Sequence, residues 1–195
     1  MFGLVFADRH DAGQKLAAKL TAYRGKNTVV LGIPRGGVVV AAEVAKELNA
    51  PLDLIIPRKI GAPFHKELAV GAVAPDGTVI LDEKSLEMLG LKKGDLQVEI
   101  SQQVKEIERR ARSYRANREP LDFRGKAVIV VDDGIATGLT AKAALRSIRK
   151  ADPDSLVLAV PVASMEAAAQ LKKDVDELVC LLVPEVFSAV GQFYE

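Results

Sequence analysis

The chain has 195 residues, 49% hydrophobic and 27% charged, enough for one sizeable core of ordinary globular composition. Lys and Arg number 27 against 26 for Asp and Glu, so the formal net charge is +1 and no global field favours nucleic acid or an anionic membrane. One Cys and two His leave no disulfide framework within the chain and no zinc constellation, and no apolar run approaches the ~18 residues that span a bilayer. The expectation is one cytoplasmic domain over 1–195, with neither a nucleic-acid nor a membrane partner, and any anion site must be local.

In chain order, Asp8 is placed to cap a helix carrying Ala12, Leu16, Leu20 and Tyr23 at helical spacing, with Arg9 and His10 at its start. His10 reads as a solvated side chain, and Arg9 draws only a weak suspicion of function. Thr28 to Ile33 is the first core strand, followed by Pro34-Arg35-Gly36-Gly37 and a helix through Ala41, Val44, Ala45 and Leu48. Paired glycines admit a close backbone approach to a ligand, and Arg35 offers a planar cation suited to phosphate oxygens. Taken alone, this segment is equally an ordinary strand-to-helix turn with one exposed Arg.

Leu52 to Pro57 reads as the second strand, ending in Arg58-Lys59. The stretch from Ile60 to Val73 holds two Gly, a Pro and a His, and the turn Pro75-Asp76-Gly77 precedes a short strand to Leu81, so 60–81 is expected to be a mobile flap followed by a hairpin. His65 and Lys66 are candidates to touch substrate, although solvated loop positions explain them as well. From 83 to 118 the pattern is helical, with a stripe of Ile100, Val104, Ile107, Ala111 and Tyr114. Arg109, Arg110, Arg112, Arg115 and Arg118 follow Glu99, Glu106 and Glu108, which suits a solvated face or a contact in a homo-oligomer better than a nucleic-acid surface.

The stretch with most chemistry is Val128-Ile129-Val130-Val131-Asp132-Asp133-Gly134-Ile135-Ala136-Thr137-Gly138-Leu139-Thr140. Four branched apolar residues make a buried strand, two carboxylates mark its end, and a loop bearing Gly and Thr leads into a helix beginning near Thr140. Thr hydroxyls, converging amides at the glycines and a helix start together suit a phosphate. Carboxylates at the end of a parallel strand suit sugar hydroxyls or hydrated Mg²⁺.

After the helix through Ala141, Ala144, Leu145 and Ile148, the runs Leu156 to Val162 and Leu178 to Val183 are the last core strands, with a helix around Met165 to Lys172 between them. Near-continuous apolar strands alternating with helices predict a five-stranded parallel sheet covered on both faces. Cys180 lies in one of these runs as a small hydrophobe. Three of the aromatic residues, Phe187, Phe193 and Tyr194, fall in 184–195, and the abrupt stop after Glu195 points to residues missing beyond it.

The thirteen residues from Val128 to Thr140, together with Pro34-Arg35-Gly36-Gly37, resemble the signature of the type I phosphoribosyltransferases. The resemblance implies that α/β fold, with strand order 2-1-3-4-5, a helical insertion at 83–118, a flexible loop at 60–81 and a small hood that includes 184–195. It also implies a Mg²⁺-dependent enzyme that moves the ribose 5-phosphate group of 5-phosphoribosyl 1-diphosphate to a nitrogenous base with release of diphosphate, in nucleotide salvage or synthesis.

The site that follows from the resemblance places the 5-phosphate on Ile135, Ala136, Thr137, Gly138, Leu139 and Thr140, with Gly134 also among the substrate-binding residues. The ribose falls on Asp132 and Asp133, which would also meet Mg²⁺ indirectly through water and donor, and the diphosphate on Arg35, Gly36, Gly37, Arg58 and Lys59. Lys59 stands with Asp132 and Asp133 among the catalytic candidates, and Phe187 is the candidate to stack on an unidentified nucleobase-like acceptor. Members acting on 6-oxopurines usually carry Asp where this chain has Ala136, which weighs against that acceptor class. The alternative is a non-catalytic, donor-sensing regulator on the same fold.

Overall fold

The computed structural model describes residues 6–115 and 119–195. Arg118, expected at the basic helix end, lies outside the described residues. In chain order the elements are α1 (Arg9–Lys19), β1 (Thr28–Gly32), α2 (Gly36–Leu48), β2 (Leu52–Leu54), β3 (Arg58–Ala62), β4 (His65–Val73), β5 (Val79–Leu81), α3 (Glu83–Leu89), α4 (Gln97–Arg115), β6 (Ala127–Val131), α5 (Leu139–Arg149), β7 (Ser155–Val162), α6 (Met165–Leu171) and β8 (Glu177–Leu182). They fall into two compact units. The first holds the chain up to residue 55, then 121–138 and 148–195; the second holds 56–120 and 139–147.

The first unit is a five-stranded sheet in the order β2-β1-β6-β7-β8, every neighbouring pair parallel. That is the predicted 2-1-3-4-5 order. All five residues of β1 and of β6 are buried, as branched apolar strands covered on both faces must be. Leu16 and Leu20 from the first helix and its end, with Val40, Val44 and Leu48 of α2, pack with Val30, Ile129, Val131 and Val157 of the sheet. Asp8 caps α1 as its position predicts, its carboxylate accepting from the Asp11 amide at 2.8 Å.

The end of the second core strand differs from its expected place. The second core strand stops at Leu54, and Arg58 and Lys59 open β3 of a separate antiparallel sheet ordered β3-β4-β5. Pro57 has no N–H to continue a ladder, so the chain leaves the parallel sheet there. Within the stretch read as a flap followed by a hairpin, β3 and β4 pair antiparallel, and their register shifts beside Gly61. A Cβ on Gly61 would stand 2.3 Å from the Lys66 carbonyl oxygen, so that glycine marks a close approach of two strands. The predicted turn at 75–77 is present, with Gly77 at φ +81 and the Asp76 carboxylate accepting from the Thr78 amide at 3.0 Å.

The helical stretch from residue 83 breaks at Gly90, which ends α3 at φ +63, and a 3-10 turn over Lys93–Leu96 leads into α4. Of the expected stripe on α4 only Ile107 is fully buried, and Tyr114 is 45% exposed. No described helix is long and apolar enough to cross a membrane.

Candidate functional site

β1 and β6 lie side by side with Gly32 opposite Val131, and the Ile33 amide donates to the Val131 carbonyl at 2.9 Å. The chain runs outward from β1 to β2 on one side, while β6, β7 and β8 fill the other, so the strand order reverses between β1 and β6. In open parallel sheets the crevice at such a reversal, beyond the carboxyl ends of the strands, is where ligands bind. Both predicted loops of this unit emerge there, Pro34-Arg35-Gly36-Gly37 from β1 and Asp132 to Gly138 from β6.

The two loops touch. A Cβ on Gly36 would stand 2.0 Å from Asp133 Oδ2, and one on Gly37 would stand 2.7 Å from the Asp132 Cα. The paired glycines, expected to let backbone approach a ligand, let it approach the acidic pair. The Pro34-Arg35 peptide is cis. Arg35 is exposed and makes no ion pair with any described residue.

Asp132 accepts at Oδ1 from the Asp133 amide, 2.9 Å away, which fixes its carboxylate plane. Burial, followed by the neighbouring Asp133 charge, pushes the Asp132 carboxyl well above the usual carboxylate range. Asp133 takes both Nε and Nη2 of Arg9 on one oxygen, Oδ2, each at 2.7 Å. The Arg9 guanidinium lies 5.0 Å from the Tyr194 ring centroid, and the Tyr194 hydroxyl donates to the Asp133 carbonyl oxygen. Burial first, then the Asp133 charge, raises the Tyr194 phenol.

The remaining loop is pinned on one side and open on the other. The Ile135 amide donates to the Val162 carbonyl and the Ser164 amide to the Ile135 carbonyl, both at 2.9 Å, and the Ser164 hydroxyl donates to the Ala136 carbonyl at 2.6 Å. Gly134 is fitted against Val162 and Val190, where a Cβ would meet Val190 at 2.6 Å. Ala136 and Thr137 are exposed, and among the described residues the amides of Ala136, Thr137 and Gly138 and the hydroxyls of Thr137 and Thr140 have no protein acceptor. Gly138, at φ +80, caps α5, so the helix begins at Leu139 rather than at Thr140, and Thr140 sits in its first turn.

Phe187 packs on Phe193 with ring centroids 5.3 Å apart and joins a cluster containing Phe6, Val162 and Tyr194, so much of its ring is committed to packing. In the second unit, Arg58 is half-buried and its Nε donates to Gln103 Oε1 at 2.7 Å. Burial, then the Arg110 charge, lowers the Arg58 guanidinium. Lys59, opposite Ala72 in the hairpin, is exposed and has no ion-pair partner among the described residues.

Arg9 and Tyr194 are the two site residues that sequence patterning did not assign. They meet Asp133 across 124 and 61 positions. The one local signal was Arg9's place immediately after a helix cap.

An open parallel sheet with an acidic pair and an open amide loop at its reversal defines an α/β protein with a ligand crevice at the carboxyl ends of its strands. The phosphoribosyl transferase domain family matches residues 7–195, and the chain belongs to that family. It is 45% identical over 190 residues to proteins from two Mycobacterium tuberculosis strains that carry provisional phosphoribosyl transferase names; 97% of this chain aligns, spanning 43% of the length of those relatives. A crystal structure of a Thermus thermophilus protein is 43% identical, with a TM-score of 0.79 over 97% of this chain and 89% of that one. The purine phosphoribosyltransferase of Pyrococcus horikoshii, 19% identical, shares the fold with a TM-score of 0.51 over 93% of this chain and 91% of that one.

Proposed function

We propose that the chain is a Mg²⁺-dependent phosphoribosyltransferase, moving the ribose 5-phosphate group of 5-phosphoribosyl 1-diphosphate to a nitrogenous base and releasing diphosphate. The observation that carries this reading is the loop after β6, where two crowded carboxylates are followed by a run of amides and hydroxyls without protein acceptors. A 5-phosphate on Ile135 to Thr140 would satisfy those donors. Asp132 and Asp133 accept from the ribose hydroxyls, and Arg35, Gly36, Gly37, Arg58 and Lys59 meet the diphosphate.

The described residues contain no group of three or more His, Cys, Asp or Glu able to cage a metal. Two adjacent carboxylates suit Mg²⁺ that arrives on the donor's phosphates, since this ion keeps waters and takes few protein ligands. Bound there, it would neutralise charge building on the leaving diphosphate. The chain's own part is positioning: the pinned loop would orient the 5-phosphate, the acidic pair the ribose, and Arg35 the leaving group. Phe187 offers what remains of its face to the acceptor base, and Ala136 in place of a carboxylate disfavours a 6-oxopurine. A cytoplasmic role in nucleotide salvage or synthesis accords with this chemistry.

The test incubates the protein with donor, Mg²⁺ and a panel of bases while diphosphate release is followed. Base-dependent release supports the enzyme. Tight donor binding without release for any base would replace it with a donor-sensing regulator.

A further inference from the structure

Arg9 lies in a slot built for it. Its Nε and Nη2 converge on Asp133 Oδ2 at 2.7 Å, and its guanidinium rests 5.0 Å from the Tyr194 ring centroid. Its Nε would also stand 2.8 Å from a Cβ on Gly36, had that residue one. Tyr194 is fixed in turn: its hydroxyl donates to the Asp133 carbonyl, its ring packs on Phe6, and Phe6 donates its amide to the Phe193 carbonyl at 3.1 Å. The Asp133 side chain is only 16% exposed, and one of its two carboxylate oxygens is fully committed to Arg9.

We infer that Arg9 is a positioning residue for the donor's ribose, holding Asp133 so that Oδ1 alone is presented to a sugar hydroxyl. The inference rests on the reading of Asp132 and Asp133 as the ribose-binding pair. A carboxylate free to rotate accepts a hydroxyl in many orientations and discriminates little. A carboxylate locked through one oxygen presents a single acceptor in a single direction, and a sugar without the matching hydroxyl leaves that acceptor unpaired. Arg suits the lock better than Lys, because its planar fork delivers two donors to one oxygen while staying over an aromatic ring.

The test measures binding of ribose 5-phosphate and of its 2-deoxy and 3-deoxy analogues by calorimetry to the wild type, Arg9→Lys, Arg9→Ala and Tyr194→Phe. The wild type is expected to prefer ribose 5-phosphate over at least one analogue by roughly tenfold or more. Arg9→Ala should remove most of that preference while changing affinity for the disfavoured analogue by less than about threefold, with Arg9→Lys and Tyr194→Phe between the two. A preference retained in Arg9→Ala, or an equal loss of affinity for all three sugars, overturns the role given to Arg9. Should Arg9→Ala fail to fold by circular dichroism, the ratio measured in Arg9→Lys and Tyr194→Phe decides in the same way. A wild type that binds all three sugars equally overturns the ribose reading of the acidic pair itself, and the inference with it.

Discussion

Gly37 and Asp132 meet backbone to backbone: a methyl group on Gly37 would stand 2.7 Å from the Asp132 Cα and 2.8 Å from the Val131 carbonyl oxygen. Gly36 differs, because its missing methyl would meet the Asp133 carboxylate and the end of Arg9, which are side chains able to swing away. Gly37→Ala should therefore separate β1 from β6 at their carboxyl ends and lower stability by about 1–3 kcal/mol, the usual cost of overpacking. Gly36→Ala should melt near the wild type but lose most affinity for ribose 5-phosphate, because Asp133 and Arg9 are displaced. Thermal melts beside calorimetry on the two variants check this, and equal melting temperatures would contradict the contrast.

Asp132 is held at a cost to the fold. Its carboxyl is raised above its ordinary 3.8, first by burial and then by the Asp133 charge. A raised acid takes up a proton on folding, so the fold loses stability as pH rises from about 3.8 through the raised value. Asp132→Asn keeps the acceptor for the Asp133 amide and removes the charge. The variant should melt roughly 2–4 °C higher than the wild type at pH 7, the shift expected of about 1 kcal/mol in a domain of this size. The gain should vanish below about pH 3, where Asp132 is protonated in both states. Replacing Asp132 and Asp133 together with Asn should abolish Mg²⁺-dependent donor binding with the fold intact.

The parallel sheet and the loop after β6 were legible because their signals are local. A run of branched apolar residues marks each buried strand, and the acidic pair, glycines and threonines sit within thirteen consecutive positions. The antiparallel sheet was not legible in the same way. β4 opens on His65-Lys66-Glu67, all exposed, and its pairing depends on glycines that admit a neighbouring strand, a requirement that only the partner reveals. Arg9 and Tyr194 escaped for a related reason, since no periodicity links a helix start to a carboxylate 124 residues away. Phe187 shows the converse: an aromatic residue in a terminal segment reads as a stacking surface, and only the fold reveals that Phe193 covers part of it.

Tyr23 gives the first unit an alkaline limit. Its hydroxyl donates to the Glu177 carboxylate, and burial, then Glu177, raises the phenol from 10.0 to about 12. The neutral phenol is the form that the fold favours, so this contribution is complete below pH 10 and is lost as pH rises from 10 to about 12. Tyr23→Phe should be slightly less stable than the wild type at pH 8 and should show a smaller fall in urea midpoint between pH 9 and 11. Parallel urea titrations would disprove the pairing if both proteins lost stability alike across that range.

Arg58 and Lys59 are adjacent cations in different circumstances, which orders the contributions to diphosphate binding proposed for them. Arg58 is half-buried and its Nε is bonded to Gln103, so it reaches an anion only through its Nη groups or by giving up a 2.7 Å hydrogen bond. Lys59 is exposed and without an ion-pair partner among the described residues, so it moves to a ligand without breaking anything. Lys59→Ala should weaken donor binding by roughly tenfold, the scale of one charged hydrogen bond. Arg58→Ala should weaken binding less and lower the melting temperature more, because α4 loses the Gln103 contact. Gln103→Ala supplies the control: releasing Arg58 should leave donor affinity equal or higher. Calorimetry with diphosphate and Mg²⁺ on the three variants measures the order, and a larger loss of affinity in Arg58→Ala than in Lys59→Ala would reverse the assignment.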